Sequence, residues 1–217
     1  FFFTHPYLGL ILSVFALFYW AVFFFTGCKS LGHIKKTITN AFIQVGLPII
    51  IFQVIMILVD SHSGRLNNPA GFFDLHSTVN SFLVAHHGPI IAIKPFFGWE
   101  SNNWESWAYI GLTTMLFFIV STAVIFIKRK EINFKSHLKS SWFIFGLASI
   151  CALLFAMCIP FRWSWFKWIA NSLGPLKQFR VLGRFGWIFF YVFTIINVLI
   201  VYKTFKKINK TLFFNIL

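Results

Sequence analysis

The amino-acid sequence predicts an all-α fold, a polytopic bundle of five transmembrane helices with short interfacial helices in its outer loops. Composition is the first reason, because 58% of the 217 residues are hydrophobic and only 11% are charged. A soluble domain has about 25% charged residues. Arrangement is the second reason, since the apolar residues form five long runs and the charged residues lie mostly in short runs between them. Lipid, and not water, is the solvent that this composition requires.

Each apolar run matches a hydrocarbon core about 30 Å thick, which needs about 20 residues of helix. Asp, Glu and Arg are absent from the interior of all five runs, as expected where a buried charge costs about 2.5 kcal/mol or more. The predicted spans are 7–26, 41–59, 108–127, 142–160 and 186–205. We expect residues 1–217 to form a single membrane domain. Because the chain begins at Phe1 without Met and ends in an apolar run, we expect it to be a fragment.

The distribution of lysine and arginine predicts the orientation. Lysine-rich connections follow the first, third and fifth spans, and such connections lie in the cytoplasm. The N-terminus is therefore expected outside and the C-terminus inside the bacterial inner (plasma) membrane. The abundance of Phe, Ile, Lys and Asn also fits an AT-rich bacterial genome. A net charge of +14 is typical of nucleic-acid binding, but its location in short connections argues against a nucleic-acid partner.

Two segments remain on the predicted outer side, 61–107 and 161–185. In the first, apolar and polar positions recur at helical spacing over 72–87, which predicts a short helix on the membrane surface. Asp74, His76, His86 and His87 lie in this stretch. Their spacing matches no standard zinc pattern, so no metal site is predicted and solvated or interfacial histidines are preferred.

The first outer segment ends in a repeated Trp-Glu-Ser sequence that leads into the third span. Its tryptophans suit the headgroup level of a bilayer, which would bring Glu100 and Glu105 close to the membrane surface. A carboxylate there could act as a general base or bind a cation. Glu105, Glu100 and Asp74 are therefore the catalytic candidates, and the alternative is a set of solvated acids beside an aromatic belt.

The second outer segment is both aromatic and basic. Phe161 to Trp168 predicts an interfacial helix, in which Trp163, Trp165 and Trp168 would pack on lipid or sugar. Lys177, Arg180 and Arg184 follow at positions i, i+3 and i+7, which would place them on one face of a helix that enters the fifth span. Because guanidinium groups bind phosphate bidentately, these three residues could hold a lipid phosphate. Snorkelling to ordinary headgroups is the alternative.

Three motifs resemble bacterial multi-spanning proteins of the GT-C glycosyltransferase type. They are the runs 5–10 (HPYLGL), 104–111 (WESWAYIG) and 179–187 (FRVLGRFGW). The resemblance implies transfer of a sugar from a polyprenyl-phosphate carrier on the extracytoplasmic side, by an inverting mechanism and often with a divalent cation. It also implies carrier-phosphate binding by Arg180 and Arg184, with Glu105 as a secondary candidate. In that class the catalytic acid lies in the first outer loop, and this chain resembles only the part that follows this loop. No residue here is therefore assigned the role of that acid.

Two other functions fit the same sequence. A transporter or flippase of lipid-linked saccharides would have polar groups or helix breaks at mid-membrane. The spans offer few of these, namely Gln44, Gln53, Asn197 and the Gly46-Leu-Pro48 break. A non-catalytic structural subunit of a larger membrane assembly would need none of them. Membrane lipids are expected partners in every case.

Overall fold

The computed structural model describes residues 6–27, 30–59, 71–83, 109–127, 140–172 and 181–216. These ranges are mostly helical and contain no strand, which confirms the all-α prediction. Three helices within these ranges are long and apolar enough to cross a membrane, over Tyr7–Thr26, Leu31–Val59 and Leu182–Lys206. Two further apolar helices, Leu112–Ile127 and Ser141–Ala156, are shorter. At 16 residues each they are about 24 Å long, so five spans stay a prediction.

The first two helices form a hairpin. Helix α1, Pro6–Thr26, begins at a proline, whose fixed φ suits the first helical position. Helix α2, Leu31–Ala41, is capped by Ser30, whose side chain accepts a hydrogen bond from the His33 backbone N–H. The helical run starts ten residues before the predicted span at 41. This difference arises because α2 has lysines and threonines in it, which hide a helix from a hydropathy criterion.

Helix α2 continues into α3, Leu47–Val59, through a π-helical turn at Phe42–Gly46. The backbone N–H of Leu47 bonds to the carbonyl of Phe42, five residues back. Pro48 explains this turn, because it has no N–H to donate to the carbonyl four residues back. The predicted break at Gly46-Leu-Pro48 is therefore a π-bulge in a continuous helix.

The remaining helices are α4 (Val79–Leu83), α5 (Leu112–Ile127), α6 (Ser141–Ala156), α7 (Ser164–Ser172) and α8 (Gly186–Ile216). Helix α6 is central, since it packs against both α1 and α8, while α5 packs on α8 and α2 on α1. Ala148, Ala152 and Ala156 are completely buried on α6. Small residues at intervals of four let helices approach closely in an apolar environment.

Polar contacts join α5 to α8. The hydroxyl groups of Thr114 and Thr194 lie 3.0 Å apart, and Ser121 Oγ donates to the Asn197 carbonyl at 3.3 Å. The Asn197 side chain in turn donates to the carbonyl of Phe193. Each of these side chains has a hydroxyl or backbone carbonyl partner within the bundle, which is how polar groups are tolerated in apolar helices.

Candidate functional site

Four separate segments converge where α1 begins, α6 ends and α8 begins; this is called the Tyr7 end. A buried apolar cluster joins them, and its phenylalanines pack at tilted or edge-on angles, as aromatic rings prefer. Phe185, for example, lies 5.0 Å from Phe155 and 6.1 Å from Tyr7, between ring centroids. The buried members of this Tyr7-end cluster are Ile11, Phe72, Ala152, Phe155, Ala156, Cys158, Leu182, Phe185 and Ile188.

Backbone hydrogen bonds attach the segment 71–78 to the other segments at the Tyr7 end. The Ser77 N–H donates to the Ala156 carbonyl at 2.8 Å, and the Gly183 N–H donates to the Leu75 carbonyl at 3.2 Å. The Ser77 hydroxyl donates to the Gly183 carbonyl at 3.3 Å. Ser77 is almost completely buried, so these bonds satisfy polar groups that water does not reach.

A 3₁₀ turn, Leu182–Phe185, leads directly into α8. Its residues Leu182, Gly183 and Phe185 are buried, whereas Arg184 is half-buried. The Arg184 guanidinium lies over the Tyr7 ring, 5.1 Å from its centroid. The Tyr7 hydroxyl donates a hydrogen bond to the carbonyl of Val181. Tyr7 therefore supports Arg184 through its ring and the start of the turn through its hydroxyl.

The turn corrects one part of the sequence prediction. Val181 has φ −121° and ψ 78°, which lies outside the helical region. A single helix face from Lys177 to Arg184 is therefore wrong, because the helix cannot pass through Val181. The reason is tertiary, since Tyr7 and Leu75 bind the backbone of this segment. Arg184 belongs to the site, while Lys177 and Arg180 lie outside the described residues.

The first outer segment also differs from its prediction. A helix over 72–87 is wrong in its first half, because residues 71–75 form a turn and α4 begins only at Val79. The turn starts at Gly71 with φ 115°, a conformation that glycine adopts readily. Asp74 is exposed on this turn, and the His76 Nδ1 lies 2.8 Å from the Phe73 carbonyl oxygen. Glu100, Glu105, His86 and His87 lie outside the described residues.

The tryptophans of the second outer segment lie at the Tyr7 end. Trp163 begins a turn, since its carbonyl accepts hydrogen bonds from the N–H groups of Phe166 and Lys167. Trp165 and Trp168 are on α7, and all three tryptophan side chains are exposed. The helix predicted over 161–168 is confirmed from Ser164 onward, whereas residues 161–163 form a turn and a bend before it.

Within the described ranges, no three His, Cys, Asp or Glu side chains lie close enough to hold a metal ion. Sequence reasoning missed Tyr7 and Ser77 as members of the site. Tyr7 lies in one of the three motifs that carry the family resemblance, but nothing local connects it to Val181, which is 174 positions away.

In the part of the chain that the structure describes, the regular structure is helical and three helices are fit to cross a bilayer, which is the fold expected of a polytopic membrane protein. Residues 1–217 match the model of a family described as Domain of unknown function (DUF6311). The chain belongs to that family. No curated protein and no solved structure matches it.

Proposed function

We propose that this chain is the membrane part of a glycosyltransferase that takes a sugar from a polyprenyl-phosphate carrier. In this proposal all five apolar helices cross the bacterial inner membrane, and the Tyr7 end faces the extracytoplasmic side. The lysine-rich connections support that orientation. The short helices α5 and α6 are compatible with it, since a bilayer adjusts to a short span by thinning at modest cost.

The contact between Arg184 and Tyr7 is the observation on which the proposal depends. A guanidinium that stacks on a ring uses its face, whereas its N–H donors lie in its plane and match phosphate oxygens. Arg184 can therefore contact Tyr7 and a phosphate together. Buried neighbours on both sides of Arg184, Gly183 and Phe185, fix its backbone. A charged group held by a rigid backbone is preorganised for binding.

The other predicted residues have supporting roles in this proposal. Arg180 and Lys177 extend the cationic surface that binds the carrier phosphate, and Trp163, Trp165 and Trp168 lie against lipid at the same end. Glu105 is a secondary candidate for a general base. The resemblance to GT-C enzymes supplies the reaction class, and it also raises the expectation of a divalent cation.

The test uses the full-length protein and a lipid-linked sugar transfer assay at limiting carrier concentration. We expect Arg184→Ala, alone or with Arg180→Ala, to lower kcat/KM roughly 10- to 100-fold, because a hydrogen bond to a charged group contributes about 1.5–3 kcal/mol. Lys35→Ala is the matched control, since it removes an exposed cation from α2. Unchanged transfer by the Arg180→Ala/Arg184→Ala protein would contradict the proposal.

A transporter or flippase of lipid-linked saccharides is the second candidate. The π-bulge at Phe42–Gly46 favours it, because such bulges are frequent at functional sites. Beside the bulge, the Trp20 indole donates a hydrogen bond to the Gln44 side chain at 2.9 Å. If this candidate is correct, Gln44→Leu will abolish translocation of the saccharide while Arg184→Ala lowers it only in part. Loss of sugar transfer in Arg184→Ala alone favours the first candidate.

A further inference from the structure

Helix α7 has the most exposed aromatic side chains of the described Tyr7 end. Trp165 is 82% exposed, Trp168 is 64% exposed and Trp163, just before the helix, is 57% exposed. Each tryptophan side chain is large, so together they form a substantial apolar surface. Apolar surface of this kind marks a site of contact with another molecule or with a membrane.

Helix α7 is amphipathic, and its aromatic side is exposed. Residues three and four apart share a face of a helix, which puts Trp165, Trp168 and Ile169 on one side. Lys167 lies on the opposite side. The high exposure of Trp165 and Trp168 means that their side of α7 is not packed against the rest of the chain. An aromatic face opposite a polar one is typical of helices that lie in a membrane surface.

Two exposed cations accompany these tryptophans. Arg162 precedes α7 and Lys167 lies on it, and both are exposed. The Arg162 N–H donates to the Cys158 carbonyl at 2.8 Å and the Lys167 N–H donates to the Trp163 carbonyl at 3.2 Å, so both cations lie within the turn and first helical turn that present the tryptophans. The whole described segment 140–172 contains no Asp or Glu. Its charge is therefore purely positive and complementary to an anionic surface.

We propose that α7, together with Arg162 and Lys167, is a binding surface for anionic phospholipid headgroups. Trp165 and Trp168 insert at the boundary between headgroups and acyl chains, where an amphipathic indole is stable. Arg162 and Lys167 contact the lipid phosphates beside them. This surface does not include Arg184, whose guanidinium lies on Tyr7, and its function does not depend on sugar transfer.

The experiment measures which lipid is enriched around α7. The purified full chain is placed in phosphatidylcholine nanodiscs that contain a small, fixed fraction of brominated phosphatidylglycerol or of brominated phosphatidylcholine. Bromine quenches nearby indoles, and the difference from a Trp165→Leu/Trp168→Leu protein isolates the signal of α7. We expect the brominated anionic lipid to quench this signal about twofold or more above the neutral one, since each surface cation attracts anionic lipid appreciably.

The charge variants locate the origin of that excess. In the Arg162→Gln/Lys167→Gln protein, we expect the brominated anionic lipid to quench no more than the neutral one, while quenching by the neutral lipid persists. Lys203→Gln/Lys206→Gln is the matched control, because it removes two exposed cations from α8 far along the helix from its start at the Tyr7 end, and it should keep the excess quenching by the anionic lipid. With the unmodified chain, 1 M NaCl should abolish the excess, since salt screens surface charges.

Two results would overturn the proposal. Equal quenching by the two brominated lipids in the unmodified chain would mean that α7 does not select anionic headgroups. The absence of quenching by both lipids would mean that α7 is not in the membrane surface, and a protein partner would then cover its tryptophans.

Discussion

At the scale of single residues, the corner between α1 and α2 shows how one glycine sets local geometry. A Cβ atom on Gly27 would lie 2.0 Å from Cε1 of His33. The His33 ring stacks on Phe23, with 4.6 Å between centroids, and its Nε2 lies 3.1 Å from the Phe23 carbonyl oxygen. The Gly27 N–H donates to that same carbonyl. The imidazole therefore occupies the space that a side chain at position 27 would need.

Gly27→Ala should lower the thermal unfolding temperature of the protein in detergent by several degrees. The added methyl group must displace the His33 ring, and overpacking of this kind costs about 1–3 kcal/mol. Gly32→Ala is the matched control, because nothing lies within 4 Å of a Cβ there and alanine favours the helix. In a His33→Ala background, where the ring is absent, Gly27→Ala should lower the unfolding temperature much less than it does in the unmodified protein. Equal melting temperatures for Gly27→Ala and Gly32→Ala would contradict this account.

At the scale of elements, the helix made of α2, the π-bulge and α3 joins the bundle chiefly through its first part. Thr37 is buried on α2, and Gln44 in the bulge accepts the hydrogen bond of Trp20. No residue of α3 is buried. The contact between Trp20 and Gln44 is therefore a principal attachment of the bulge to α1.

Gln44→Leu should destabilise the protein by about 0.6 kcal/mol or somewhat more, the usual size of a polar contact between apolar helices. The substitution removes the acceptor and leaves the indole of the buried Trp20 without its partner. Gln53→Leu is the matched control, because Gln53 is exposed on α3 and leucine suits a lipid-facing position. Reversible unfolding in mixed micelles measures both. If Gln53→Leu costs as much as Gln44→Leu, the contact with Trp20 has no special role.

Sequence periodicity and hydropathy predicted the long apolar helices well and the short segments between them poorly. The bounds of α1 and the start of α8 follow from long apolar runs, and the structure confirms both. The segments 71–78 and 181–185 were not predicted, because contacts with distant parts of the chain determine their backbone. Val181 is one example, since its carbonyl binds Tyr7. Ser77 is another, since it binds both Ala156 and Gly183. Short apolar runs contain no signal for such pairings.

At the scale of the whole molecule, the Tyr7-end cluster connects four segments that are far apart in the sequence. It fixes the turn before α8 and so the position of Arg184, which is the only predicted phosphate-binding residue within the described ranges. Sequence alone identified this arginine because it is a cation on the predicted outer side of the membrane. Its contact with Tyr7 could be identified only from the folded structure. The proposed site thus depends on the predicted orientation, since a lipid-linked sugar must reach the Tyr7 end from outside.

The most direct test of the account is the labelling of single cysteines in intact cells with a membrane-impermeant maleimide. Cys28, Cys151 and Cys158 are first replaced by alanine in the full-length protein. Ser164→Cys, exposed on α7, should then be labelled in intact cells. Lys36→Cys, exposed on α2, should be labelled only after the cells are permeabilised. The reverse pattern would put the Tyr7 end and Arg184 in the cytoplasm and contradict the proposed function.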